Sequence, residues 1–149
     1  MRIRRERLVE CLAEVDALIK DYYERTEEAP RGQPPLEMDW QVYANIEKAG
    51  NLTIYTARMG NVLVGFAMYL TGYHAQHKGM KFALCNTLAV DPDFRGQGIG
   101  TKLVKHAETD FRMSGVGMMI HGFRMVYNTE PLFPKLGFTE IERMYMKVL

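Results

Sequence analysis

The chain is poor in cysteine, in net charge and in long apolar runs. Cysteine occurs only at Cys11 and Cys85. That is too little for a disulfide framework, and both positions read as buried thiols of a cytosolic protein. The formal net charge is +1, so no broad electrostatic surface is available for nucleic acid. Arg2, Arg4, Arg5 and Arg7 are the sole local support for such a partner, and aromatic–basic interleaving is missing. Nucleic acid is therefore not expected. No apolar stretch of signal-peptide length follows the basic opening, and no run is long enough to span a membrane, so the expected location is the cytoplasm. His74 and His77 form His-x-x-His ahead of Lys78, but no further ligand has matching spacing. No metal is expected, and the segment reads as a solvated loop or as part of a substrate loop.

What is present is ordinary globular material. At 149 residues, with 47% apolar and 25% charged residues, the chain fits a single domain spanning residues 1–149 with a real core. Leu8, Leu12, Val15, Ile19 and Tyr22 recur at helical spacing and predict a first helix from about Arg5 to Glu24. A Pro/Gly loop follows over residues 26–38, and Asp39 caps a short helix running to about Lys48 and closing near Gly50. Leu52–Arg58 and Val62–Leu70 read as strands joined by a hairpin at Met59-Gly60-Asn61. Lys81–Val90 is a third strand, and Val116–Ile120 is short and apolar throughout, as parallel strands tend to be. A short helix over Asn128–Lys135, started by Pro131 and ended by Gly137, precedes a closing strand over Thr139–Leu149.

The most informative run is Leu88-Ala89-Val90-Asp91-Pro92-Asp93-Phe94-Arg95-Gly96-Gln97-Gly98-Ile99-Gly100-Thr101. A strand ends at Val90, Asp91 caps a proline turn, and a glycine loop opens a helix at about Thr101 with the apolar stripe Ile99, Leu103, Ala107 and Phe111. Glycines let backbone N–H groups close around an anion, and the helix N-terminus adds partial positive charge. This is the chemistry of a diphosphate cradle. It is not a dinucleotide fingerprint, since Thr101 stands where the third glycine belongs. Nor is it a P-loop, since Gly100 is followed by Thr101 before Lys102.

Arg95-Gly96-Gln97-Gly98-Ile99-Gly100 after Leu88-Ala89-Val90-Asp91-Pro92 resembles motif A of the GNAT N-acetyltransferases. Leu132-Phe133-Pro134-Lys135-Leu136-Gly137-Phe138 is similar to that family's late segment, and within the family the chain is most similar to small phage and prophage members. The resemblance covers Leu8 to Leu149. It implies an α/β fold of one domain, with a central, mixed, mostly antiparallel twisted sheet flanked by helices. Two departures are noted: the family's first strand is short or absent, and only one strand fits after Phe138.

The resemblance implies acetyl-CoA as cosubstrate and an amine-bearing acceptor, small molecule or protein, attacked directly in a ternary complex. Homodimerisation is compatible with it. Backbone groups of Leu88, Ala89 and Val90 would face the pantetheine arm, with an amide such as that of Leu88 on the thioester carbonyl. Arg95, Gly96, Gln97, Gly98, Ile99, Gly100 and Thr101 would hold the pyrophosphate. Asn128 would reach the pantetheine, or simply cap its helix. Lys102 and Lys105 would meet the 3′-phosphate or water, and Glu27, Glu28, Glu37 and Asp39 fall on the acceptor side.

The usual proton-handling residues are missing. Asn86 stands where polyamine-type members carry a glutamate base, and Phe133 where many carry a tyrosine acid. Asn86 can orient a water or an amine but accepts no proton. His121, expected at the C-terminal end of its strand, is the substitute base, with an expected pKa near or somewhat above 6.5; alternatively it satisfies a strand end. Tyr127 is the substitute acid or a packing aromatic. These gaps sustain a rival reading, a CoA-binding interaction protein that is catalytically weak or inactive.

Overall fold

The computed structural model of the protein describes residues 1–24, 36–122, 132–142, 144 and 146–149. Chain order is β1 (Arg2–Glu6), α1 (Leu8–Glu24), α2 (Trp40–Lys48), β2 (Leu52–Met59), β3 (Val62–Tyr73), β4 (Lys81–Val90), a 3-10 turn at Pro92–Phe94, α3 (Ile99–Met113), β5 (Met118–His121) and α4 (Leu132–Lys135). The sheet runs β1-β2-β3-β4-β5. Its first three pairings are antiparallel and β4–β5 is parallel. That is the mixed, mostly antiparallel α/β architecture expected.

The two faces of the sheet carry separate cores. Leu8, Cys11, Val15, Leu18 and Ile19 of α1, joined by partly buried Trp40, Tyr43, Ala44 and Ile46 of α2, cover Leu52, Ile54, Phe66, Met68 and Ala89. On the other face, Ile99, Leu103, Ala107 and Phe111 of α3 cover Tyr55, Ala57, Val64, Ala67, Tyr69 and Ala83. Helix α3 buries the stripe that its 3–4 spacing predicts, and α1 buries Leu8, Val15 and Ile19 of its own with Leu12 partly buried. The Asp39 side chain accepts the Val42 N–H at 3.2 Å, starting α2. Glu47 of α2 in turn accepts the Leu8 N–H at 2.7 Å, so α2 caps α1.

Several expectations are corrected. Of the two readings left open for the first strand, it is short and not absent: Arg2–Glu6 pairs with β2 from Arg2↔Arg58 to Glu6↔Ile54. The first helix accordingly starts at Leu8 rather than Arg5. The pairing is fixed by Glu6, which is 5% exposed and bonded to the Arg58 guanidinium at 2.8 and 3.0 Å. Charge on the exposed positions of an edge strand also discourages pairing with another chain. The last strand of the sheet spans Met118–His121 rather than Val116–Ile120. The described residues among 139–149 form no strand, and Ile141, Met144, Met146, Val148 and Leu149 are exposed. Cys11 is buried as expected, whereas Cys85 is half-buried; both are free thiols. No helix among the described residues is long and apolar enough to cross a membrane.

Candidate active site

The site grows from a mismatch in strand length. β5 pairs with β4 only from Phe82↔Met118 to Cys85↔His121, whereas β4 runs on to Val90. Among the described residues, the β5 side of β4 is therefore an open edge beyond Cys85. Ladder alternation decides which backbone groups face it. The Asp91 N–H bonds the Val64 carbonyl at 3.0 Å. Stepping by two along an antiparallel pair makes Ala89, opposite Phe66, another hydrogen-bonded position, so Leu88 and Val90 turn their N–H and C=O groups away from β3. Two contacts agree. A Cβ built on Gly65 of β3 would lie 3.0 Å from the Ala89 oxygen, and the Val90 oxygen accepts Arg95 Nε at 3.1 Å. Of the three residues expected to present backbone to a ligand arm, Leu88 and Val90 face the opening and Ala89 faces the sheet.

The glycine loop lies at the end of this open edge. Asp91 accepts the Asp93 N–H at 2.9 Å and sets the turn Pro92–Phe94. Gly96 and Gly98 both have φ +74°, the left-handed region that glycine enters without strain. Helix α3 starts at Ile99, two residues before the expected Thr101. Its first ladder bond runs from the Lys102 N–H to the Gly98 carbonyl at 3.0 Å. The N–H groups of Ile99, Gly100 and Thr101 thus precede the ladder and point out of the helix end. Side chains play little part here: Ile99 is buried at 2% exposure, while Gly96, Gln97 and Gly98 are exposed. A Cβ on Gly96 or Gly98 would meet nothing within 4 Å. An exposed backbone with outward amides at a helix N-terminus suits a phosphate group.

Side chains flank the opening on both faces. β4 carries a bulge: Met68 opposes Thr87 and Tyr69 opposes Cys85, leaving Asn86 as the extra residue. Asn86 faces α2, where its Oδ1 accepts the Tyr43 hydroxyl at 2.7 Å and Thr87 Oγ1 at 3.4 Å. Burial raises the Tyr43 pKa, against the smaller opposing effect of the Asn86 bond. His121 faces α3, where its Nε2 lies 3.2 Å from the Tyr69 hydroxyl. The rings of Phe133 and Phe138 close over it at 5.3 and 4.9 Å, and Nδ1 is buried with no partner among the described residues. Burial pushes the His121 pKa down to about 4. This corrects the expected value near or above 6.5, because among the described residues no anion offsets desolvation of the imidazolium. Asn86 and His121 therefore face opposite sides of the sheet.

Residues 14–138 match the Acetyltransferase (GNAT) family. The chain belongs to the GNAT acetyltransferase family. It is thus an acyltransferase, and acetyl-CoA is the donor of its family. Solved structures agree in fold. A transcriptional regulator from Bacillus halodurans C-125 is 23% identical with a TM-score of 0.77, covering 99% of each chain. An aminoglycoside acetyltransferase from an uncultured soil metagenomic sample, in complex with sisomicin, is 18% identical with a TM-score of 0.73, covering 99% of this chain and 96% of that one. A predicted acetyltransferase with acetyl-CoA from Clostridium acetobutylicum is 13% identical with a TM-score of 0.76, covering 99% and 95%. No curated relative matches the sequence.

Within this GNAT domain, Tyr127, Asn128, Glu27 and Glu28 lie outside the described residues. Lys102 and Lys105 are exposed on α3. The rings of His74 and His77 lie 4.6 Å apart, tilted by 43°, and among the described residues no three His, Cys, Asp or Glu side chains come together to hold a metal ion. An open cleft of about 500 Å³ between β1, α1 and α2 shares no residue with the glycine loop. Its carboxylates are already engaged: Glu6 by Arg58, Glu10 by the Arg7 N–H and Glu47 by the Leu8 N–H. Sequence reasoning missed Tyr43. Its only signal was a tyrosine on the inward face of α2, and the contact with Asn86 spans 43 residues.

Proposed function

We propose that the protein transfers the acetyl group of acetyl-CoA to a primary amine by direct attack within a ternary complex, in the cytoplasm. The observation that carries this reading is the open backbone edge at Leu88 and Val90, continuous with the outward amides of the glycine loop. In this reading the amides from Gly96 to Thr101 bind the pyrophosphate, with Arg95 closing the loop onto Val90. The pantetheine lies along the open edge of β4, and the Leu88 N–H polarises the thioester carbonyl. The amine nitrogen attacks the carbonyl carbon, the C–N bond forms, and the C–S bond breaks to release the CoA thiolate, which is then protonated. Asn128 and Tyr127 keep their proposed roles as pantetheine contact and proton donor. An aminoglycoside acetyltransferase among the structural neighbours supports an amine-bearing acceptor.

The test is release of free thiol from acetyl-CoA across a panel of amines, with product masses and calorimetry of CoA binding. An acetylated amine with matching thiol release is the expected result. No CoA binding would overturn the reading at its root. CoA binding with no transfer to any amine would instead favour a CoA-binding interaction protein, the alternative that Asn86 and Phe133 suggest.

A further inference from the structure

We propose that Tyr43 seats the acceptor: its hydroxyl oxygen accepts a hydrogen bond from the N–H of the attacking amine, while Asn86 holds the hydroxyl in place. This rests on the acetyltransferase reading and adds a residue to it. The bulge inserts Asn86 as the first β4 residue beyond the Cys85↔His121 pair, where β5 leaves the sheet. Asn86 is also two residues before Leu88, whose N–H faces the same opening. A side chain bonded to Asn86 from α2 therefore stands beside the place where the thioester carbonyl would lie.

The direction of the Tyr43 bond decides what it offers. A phenol has one donor and two acceptor lone pairs. The donor is committed to Asn86 Oδ1 at 2.7 Å, so what Tyr43 can offer a ligand is acceptor capacity alone. A neutral amine needs its lone pair free for attack and has N–H groups to spare. An acceptor at Tyr43 holds such an N–H without covering the lone pair. The bond also strengthens as positive charge builds on nitrogen during attack, which favours the transition state over the ground state. Burial keeps the phenol protonated, so the Asn86 bond persists and Tyr43 positions the amine rather than removing its proton. The displaced proton leaves to water past Asn86, which is exposed.

The test uses a bisubstrate probe, CoA joined through an acetyl bridge to a simple primary alkylamine, which places an amide N–H where the attacking N–H would be. By calorimetry the native protein should bind this probe more tightly than CoA. Tyr43→Phe, which deletes only the hydroxyl, should weaken the probe by about tenfold or more and leave CoA affinity and Tm unchanged. With any acceptor found by the amine panel, the same variant should raise KM for the amine and not for acetyl-CoA. The double variant with Asn86→Ala should be no worse than Tyr43→Phe alone. Should Tyr43→Phe fail to fold, Asn86→Ala alone should still weaken the probe relative to CoA. A probe bound no more tightly than CoA, or equally well by Tyr43→Phe, overturns the proposal and leaves the acetyltransferase reading standing. A native protein that binds neither compound overturns that reading instead.

Discussion

The Tyr69 hydroxyl lies 3.2 Å from His121 Nε2, and this contact ties the end of β5 to the buried side of the sheet. Tyr69 is fully buried and sits opposite Cys85 on β4, which is itself paired with His121 on β5. Three polar groups thus form a row across β3, β4 and β5 just where the strands part. Their common environment is apolar: burial raises the Tyr69 pKa and pushes the Cys85 thiol up to about 12, while His121 falls to about 4. Each group is held in its neutral form. A histidine this weakly basic cannot draw a proton from an alkylammonium at neutral pH.

The first prediction concerns pH and rate. The acetylation rate should follow the ionisation of the acceptor amine itself, with no separate limb near 6.5. His121→Gln should keep the shape of that profile. A limb near 6.5 in the native enzyme that vanishes in His121→Gln would restore His121 as the base.

Stability should respond to the same residue. An unfolded histidine titrates near 6.5, and burial holds the native His121 down at about 4. Between those values the unfolded chain binds a proton that the folded chain refuses. His121 therefore costs no stability above 6.5, and stability is lost as pH falls from 6.5 toward 4, by up to about 3 kcal/mol. Melting curves at pH 7.5 and 4.5 should show a smaller acid loss in His121→Gln than in the native protein. Equal losses would contradict this.

A different window belongs to Glu6. The Arg58 bond holds its carboxyl down at about 2, against 4.5 ordinarily, despite opposing desolvation. Its contribution is full above about 4.5 and is lost as pH falls toward 2. Arg58 also reaches Glu14 at 2.6 and 2.9 Å, so Arg58→Ala removes the partner shared by two carboxylates and leaves the buried Glu6 with Arg4 as its remaining cation. The expected cost is about 3 kcal/mol in urea unfolding at pH 7, the low end for a broken buried pair because Arg4 stays on Glu6, and it shrinks at pH 3 as Glu6 of the variant becomes protonated. A cost below about 1 kcal/mol at pH 7 would show the network to be idle.

These residues also explain what could be read from the chain alone. The glycine loop was legible because its chemistry is local: Asp91, Gly96 and Gly98 act through their own turns. The helical stripes of α1 and α3 were legible for the same reason. β1 was not, because Arg2, Arg4 and Arg5 look like a solvated helix opening until Glu6 meets Arg58, 52 residues away. The alternation over Thr139–Leu149 predicted a strand, but alternation records a preference and supplies no partner edge. The separation of Asn86 from His121 was invisible for a geometric reason: a single bulge residue sets the face to which Asn86 points.

The loop makes its own prediction. Gly98→Ala forces a Cβ into φ +74°, and Gly50→Ala and Gly115→Ala do the same at φ +78° and +79°, at glycines outside the loop. All three should cost about 1 kcal/mol of stability. Gly98→Ala alone should weaken CoA, by tenfold or more in calorimetry, because the added methyl stands on the backbone that a phosphate must approach. The native loop should also prefer CoA to NAD, since it lacks the third glycine of a dinucleotide site. Tighter binding of NAD, or equal CoA loss in all three variants, would remove the loop from the cofactor site.

The last prediction tests how the loop is placed. Gly65 on β3 lies under the start of α3, where an added Cβ would stand 3.0 Å from the Ala89 oxygen, 3.3 Å from Ile99 Cγ2 and 3.4 Å from Val90 Cγ2. The Ala89 carbonyl is backbone within the sheet and cannot turn aside. Ile99, at 2% exposure in a filled core, has little room to move. Gly65→Ala should therefore cost about 1–3 kcal/mol through overpacking. Strain relieved by lifting the first turn of α3 would also shift the amides of Ile99, Gly100 and Thr101 relative to the open edge at Leu88 and Val90. CoA affinity should then fall along with stability, although Gly65 touches no ligand in this arrangement. Gly72→Ala is the matched control, since its Cβ would meet the Phe82 ring at an ordinary 3.5 Å, far along β3 from the loop. Loss of stability in Gly65→Ala with native CoA affinity would mean that the glycine loop finds its position independently of β3.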